Sequence, residues 1–278
     1  MSLPRIVIEP IVRTALAEDL GLAGDVTAAL VPAGARLRAQ FRARAPGIVA
    51  GLACAELACA LVDSAIAFRP CADDGASLAA GDVIAEIEGP ARSVLTAERT
   101  ALNFLTHLSG IATLTRAYVD AVAGTRARIA ATRKTLPGLR AVQKAAVIAG
   151  GGWPHRYALS DAVLVKDNHI AAAGSVGAAL AAARAAAGHM AKIEVEIDSL
   201  AQLDEALAHR PDAVLLDNFS IADLAAAVAR AHGGPVLEAS GGVSLATVRA
   251  IAETGVDVIS VGALTHSAPA LDIGLDAV

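Results

Sequence analysis

The chain holds 278 residues, 55% of them hydrophobic, 18% charged and 3% aromatic, with a net charge of −5. That much apolar mass supports one large domain or two and excludes a disordered chain. The acidic balance and the scarcity of aromatic stacking surfaces exclude a general nucleic-acid binder, so no nucleic-acid partner is expected.

The N-terminal MSLPRIVIEP has no continuous apolar h-region and no small-residue cleavage site, which predicts a cytoplasmic protein. Residues 12–20 carry a helical pattern and lead into a loop at 21–27, where Asp25 reads as a turn residue. Short β-like stretches follow at 37–43, 47–50, 68–71 and 83–88, separated by Gly75, Gly81–Asp82 and Gly89–Pro90. Cys54 and Cys59 lie in an alanine-rich apolar stretch; with Cys71 they form an odd set lacking a CxxC pair, which predicts packing rather than chemistry. GASLAAGDVIAEIEG is similar to the hairpin sandwich of lipoyl and biotinyl carriers, without the lysine a swinging arm needs. Residues 94–119 read as one long helix or two, with Leu95, Leu102, Leu105 and Leu108 at helical spacing.

Beyond residue 125 strands alternate with helices. Candidate strands are 127–131, 162–165, 192–197, 213–216, 235–239 and 256–261, nearly continuous in apolar residues as buried parallel strands are. Alanine-rich amphipathic helices are predicted at 174–187, 200–209, 221–231 and 245–254. Ser199, Ser220 and Ser244 stand as caps, and Gly188, Gly233 and Gly255 as stops. Alternating βα units imply a parallel sheet, and the polar residues after each strand favour a barrel of about six strands with its site at their C-terminal ends. The mean hydropathy of +0.54 comes largely from alanine. The most membrane-like stretch, 170–183, falls short of the roughly 20 apolar residues of a span, so no membrane association is expected.

The strand ends carry the chemistry. Thr132-Arg133-Lys134-Thr135 follows the first strand, and Lys166-Asp167-Asn168-His169 the second. The third includes Glu194 and Glu196, the fourth ends in Asp217-Asn218, the fifth in Ser240-Gly241-Gly242, and Gly262 and His266 follow the sixth; His155-Arg156 comes after Gly150-Gly151-Gly152. From Arg126 to His169 eight cations face Asp161 and Asp167, a local charge of +6 in an acidic chain. Cations gathered at one rim steer an anion, and arginine grips carboxylates or phosphates at two points. Arg126 and Arg128 read as solvated, Arg140 and Lys144 as one exposed helix face, and His169 as a local hydrogen-bonding residue. Arg133, Lys134 and Lys166 read as functional. Glu196 and Asp217 offer hard oxygen ligands for magnesium, but Glu194 shares the face of Glu196, so the pattern leaves both open. Ser240-Gly241-Gly242 with Gly262 suits a phosphate cradle.

These residues lie in segments that resemble the quinolinate phosphoribosyltransferase family: AERTALNFLTHLSGIAT (97–113), ATRKTLPGLR (131–140), GGGWPHR (150–156), DAVLVKDNHI (161–170), EVEI (194–197), LLDN (215–218), LEASGG (237–242) and TGVDVISVGALTHSAPALDI (254–273). The resemblance implies an α/β chain in which an N-terminal α/β sandwich at 1–110, whose first helix can pack on the barrel, precedes an incomplete α/β barrel at 111–278. It implies phosphoribosyl transfer from phosphoribosyl pyrophosphate to quinolinate with decarboxylation and Mg2+, giving nicotinate mononucleotide, in a homodimer with shared sites. Arg99 would cross to a quinolinate carboxylate of the other subunit. Arg133, His155 and Arg156 would grip quinolinate, and Lys134 and Lys166 would border both substrates. Glu196 and Asp217 would hold ribose and metal, and Ser240, Gly241, Gly262 and His266 the 5-phosphate. Trp153-Pro154 and Ala158 depart from the family pattern. Two other readings are open: a Schiff-base aldolase on Lys166, and a non-catalytic accessory protein of molybdenum transport, against which the intact Lys166-Asp167-Asn168-His169 argues.

Overall fold

The first helix, α1 (Arg5–Leu20), buries Ile8, Val12 and Leu16, a stripe at four-residue spacing that starts one turn earlier than the 12–20 pattern alone suggests. In β1 (Arg36–Ala43), Arg36 and Arg38 are exposed while Ala39, Phe41 and Ala43 are buried, the period-two signature of a half-buried antiparallel strand. The computed structural model describes residues 3–278. They form two compact units with interleaved sequences: the chain up to Arg116 with Lys134–Gly151 and Ala263–Val278, and Ala117–Arg133 with Gly152–Gly262.

In the first unit β1 pairs with β5 (Val83–Pro90) and with β12 (Ile273–Ala277), and β5 pairs with β3 (Ala67–Pro70), giving an antiparallel sheet in the order β12-β1-β5-β3. Strands β2 (Gly47–Ile48) and β4 (Ser77–Leu78) form a separate small ribbon. Helix α2 (Leu52–Val62) encloses Cys54 and Cys59, and burial pushes both thiols up to about 12, so they pack as small apolar groups. Helix α3 (Ala91–Ala121) is continuous. Its Gly110 marks a close approach rather than a break, because a Cβ there would lie 2.0 Å from the Pro269 carbonyl oxygen. The expected exposed face of Arg140 and Lys144 is a correction. On α4 (Arg140–Ala149) Lys144 is fully buried beside Gln143, and Arg140 is half-buried with Nε donating to Thr135 Oγ1 at 3.1 Å. Apolar neighbours Val142, Ala146 and Val147 widen the buried side of this helix, and the long aliphatic stem of Lys144 helps to fill it.

The second unit is a six-stranded parallel sheet. Its strands are β6 (Arg128–Ala130), β7 (Val163–Val165), β8 (Ile193–Ile197), β9 (Ala213–Asp217), β10 (Val236–Ser240) and β11 (Val258–Ser260), in the order β6-β11-β10-β9-β8-β7. The connecting helices are α5 (Asp167–Ala173), α6 (Val176–Ala186), α7 (Leu200–Ala208), α8 (Ile221–Arg230) and α9 (Val248–Glu253); α10 (Ala263–His266) belongs to the first unit. Gly174 in the left-handed region (φ 93°) and Ser175 split the apolar stretch 170–183 into two helices, and no described helix is long and apolar enough to cross a membrane. The Ser175 and Ser220 hydroxyls accept the Ala178 and Asp223 N–H groups as N-caps. Ser199 holds the cap position without a side-chain bond. Ser244 does not cap: α9 starts later, with Thr247 at its N-cap. At one edge Trp153 bridges β6 through Trp153 N–H to Ile129 O and Ala131 N–H to Trp153 O, both 2.8 Å, and the Arg128 guanidinium lies 5.4 Å from its ring centroid.

Candidate active site

Strand register decides which side chains meet. In the parallel pairs Glu194 aligns with Ala213, Glu196 with Leu215, Leu215 with Glu238, and Asp217 with Ser240. Aligned residues share a face, and alternate residues return to it. One face therefore carries Glu194, Glu196, Asp217, Glu238 and Ser240. The other carries Val195, Val214, Leu216, Leu237 and Ala239, all buried.

Carboxylates on a half-buried face need partners. Glu196 Oε2 lies 2.5 Å from Lys166 Nζ, and Asp217 Oδ2 accepts from Asn218 Nδ2 at 2.8 Å. His155 stands between the remaining two: its Nε2 is 3.3 Å from Glu238 Oε2 and 3.6 Å from Glu194 Oε2. Hydrogen bonds to Glu194 and then Glu238 outweigh burial and raise its pKa to about 9, so the ring is an imidazolium at neutral pH. Burial, in turn, raises the Glu194 pKa. Donor atoms of His155, Glu194 and Glu238 lie within 4.8 Å of one another, a spacing that could hold a metal ion and that also lets one imidazole nitrogen bridge two carboxylates. The geometry is that of a histidinium clamp.

Next to the clamp sit two arginines. Burial first, and the Arg133 guanidinium second, lower the pKa of Arg156. Arg156 Nη1 donates to the Ala162 carbonyl at 3.0 Å, while Arg133 Nε is buried with no hydrogen-bond partner. Like charges held together with a donor unused indicate a place for an anion. Lys166 is engaged by a carboxylate and 46% exposed, not desolvated in an apolar pocket as a Schiff-base lysine requires. Its backbone N–H donates to His169 Nδ1 at 2.9 Å, which makes His169 the local residue expected.

At the ends of β9 and β10, Asn218 adopts φ 57° and its N–H donates to the Ser240 carbonyl at 2.9 Å. Gly241 (φ 92°) fits against it so closely that a Cβ would lie 2.1 Å from Asn218 Oδ1 and 2.9 Å from its backbone nitrogen. Only glycine allows this approach, and Ser240, Gly241 and Gly242 stay accessible beside it.

Three predicted residues belong to the first unit: Arg99, exposed on α3; Lys134, whose carbonyl accepts from Thr265 Oγ1 at 2.8 Å; and His266, which bonds Ser267 Oγ at 2.7 Å. Gln143, to which no role was assigned, ties this unit together. Its Nε2 bonds His107 Nε2 and the Thr265 carbonyl, and its Oε1 accepts from the Leu136 N–H, all at 2.9–3.0 Å. A cavity of about 700 Å3 in the same unit is lined by α1, α3 and the 136–139 loop; none of the four clustered carboxylates lines it. Glu238 was also missed, although a lone charge between Leu237 and Ala239 in an apolar strand was its signal.

A parallel α/β sheet with carboxylates on one face and two neighbouring arginines beside them, one with an unused buried donor, defines an α/β enzyme of the barrel type that handles anions. The quinolinate phosphoribosyl transferase N-terminal domain model matches residues 25–109 and the C-terminal domain model residues 111–276. A nicotinate-nucleotide pyrophosphorylase [carboxylating] of Mycobacterium leprae is 51% identical over 271 residues, 95% of each chain, and a probable one of Bacillus subtilis is 43% identical over 93% of this chain and 89% of its own. The structure of the nicotinate-nucleotide pyrophosphorylase from Francisella tularensis superposes with a TM-score of 0.96 at 39% identity, over 100% of this chain and 98% of that one. The chain belongs to the quinolinate phosphoribosyl transferase family.

Proposed function

We propose that this chain joins quinolinate to phosphoribosyl pyrophosphate and releases pyrophosphate and carbon dioxide, yielding nicotinate mononucleotide for NAD synthesis. The observation that carries the reading is the Arg133–Arg156 pair beside a protonated His155, three cationic groups suited to a pyridine dicarboxylate. The quinolinate ring nitrogen attacks the anomeric carbon as the bond to pyrophosphate oxygen breaks, and the leaving electron pair stays on pyrophosphate. The positive charge developing on the ribose ring is stabilised by Glu196 and Asp217. Afterwards the carboxylate beside the quaternised nitrogen leaves as carbon dioxide; its bonding pair passes toward the pyridinium, and the ring carbon takes a proton. Nothing in this chemistry needs a Ser or Cys nucleophile; positioning provides much of the rate.

Lys166 and Lys134 border both substrates in this reading, and Ser240, Gly241, Gly262 and His266 receive the 5-phosphate. Arg99 serves the site of a second copy, which makes the working form a homodimer, and the protein acts in the cytoplasm. Glu196 and Asp217 are hard oxygen donors on neighbouring strands, a set that fits magnesium. Bound there with substrate oxygens, magnesium would neutralise charge on the pyrophosphate.

The test mixes the purified protein with quinolinate, phosphoribosyl pyrophosphate and magnesium and measures pyrophosphate and carbon dioxide. Both products are expected in equal amounts, and replacing quinolinate by the monocarboxylate nicotinate should abolish release. Folded protein that shows no turnover refutes the reading.

A further inference from the structure

We propose that Glu238 is a positioning residue for quinolinate: it holds His155 by Nε2, so that Nδ1 is the ring nitrogen presented to the substrate. The proposal rests on the function inferred above and adds a residue and an atom to it.

Burying a carboxylate is costly unless an opposite charge meets it. Glu238 lies between Leu237 and Ala239 on β10 and is 4% exposed; its ion-pair partner is His155 Nε2 at 3.3 Å. The expense is explained if the carboxylate fixes the ring. His155 needs fixing, because its φ of 53° is a left-handed conformation that a residue with a side chain adopts only when its surroundings over-determine it. From the backbone side, Trp153 is pinned to β6 by two hydrogen bonds of 2.8 Å. From the side-chain side, Glu238 and Glu194 face Nε2, Glu194 at the longer 3.6 Å. The two nitrogens of an imidazole have distinct tasks; with Nε2 turned to carboxylates, Nδ1 remains for an anionic ligand. Both carboxylates pair with the histidine, but Glu238 stands nearer, at 3.3 Å against 3.6 Å, and Glu194 is also drawn by Arg156. Glu238 is therefore the more specific anchor.

The test compares wild type with E238Q, E194Q, H155A and H155A/E238Q by steady-state kinetics, varying each substrate separately, after thermal unfolding has established that each variant folds. Glu238→Gln keeps the volume and an acceptor oxygen but removes the charge. It is expected to raise the quinolinate KM about tenfold, the loss of a charged hydrogen bond, with the phosphoribosyl pyrophosphate KM changed less than about twofold. Glu194→Gln should act in the same direction and more weakly. In the H155A background Glu238→Gln should add nothing, because its target is gone. Effects that multiply in the double variant, or that fall equally on both KM values, overturn the proposal; so does unfolding of both glutamine variants, which would make the role purely structural. An unchanged quinolinate KM in E238Q with an active wild type refutes this proposal alone, whereas an inactive wild type refutes the functional reading and this proposal with it.

Discussion

One sheet face in each unit treats charge in the opposite way from the other. On the exposed face of the first unit's sheet, charges meet opposite charges across the strands: Arg36 faces Glu88, Arg38 and Gln40 share Glu86, and Arg42 and Arg44 converge on Asp276. These pairs sit in water, are satisfied among themselves and contribute little each. The second unit also carries exposed pairs, such as Arg230 with Asp204 and Arg249 with Glu253, but around its carboxylate-bearing face it sets Arg133 against Arg156, encloses Glu238 and leaves Arg133 Nε without a partner. A surface that neutralises itself has nothing to offer a ligand. Inside the second unit His155 meets Glu194 and Glu238, while Arg133 Nε keeps an unused donor, the feature an anion would satisfy.

The sharpest way to separate the two roles is to disturb the first unit where backbone meets backbone. Gly110→Ala places a methyl group 2.0 Å from the Pro269 carbonyl oxygen, with no flexible side chain to yield. The expected loss is about 3 kcal/mol, or roughly 5–10 °C in Tm by calorimetry, with the quinolinate KM unchanged at temperatures where the variant is folded. A Tm within about 1 °C of wild type would show that this junction is looser than described. Arg133→Met should do the reverse. It keeps the aliphatic stem but removes a like charge and the unpaired Nε, so Tm is expected to hold or rise slightly, while the quinolinate KM increases roughly ten- to a hundredfold. A variant that lost stability and kept its KM would place Arg133 with the matched charges of the first unit.

How much of this was readable in the sequence followed the same division. The parallel strands show as apolar runs that stop at polar residues, and that pattern alone puts Arg133, Lys166, Glu196, Asp217 and Ser240 at or near strand ends. Glu194 and Glu196 could not be told apart, because period two sets them on one face. What separates them is their partners, Lys166 for one and His155 for the other, and those come from distant segments. Glu238 was overlooked for that reason. Strand β12 pairs with β1 from the far end of the chain, and its short GLDA alternation carries too little pattern to announce a strand. Lys144 was misplaced because helical spacing relates it to Arg140 without saying which side of α4 faces the core.

The smallest expected effect follows from the clamp itself. His155 has a folded pKa of about 9 against an ordinary value of 6.5, so the folded state holds its proton more tightly. A raised pKa contributes stability that is fully present below about pH 6.5 and is lost as pH rises through 9. Chemical denaturation at pH 6.5 and 9.5 should therefore show the wild type weakening more than His155→Gln, in which nothing titrates at that position. Equal weakening of the two proteins would mean that Glu194 and Glu238 do not hold a proton on His155, and that the second unit's inward carboxylates are matched in some other way.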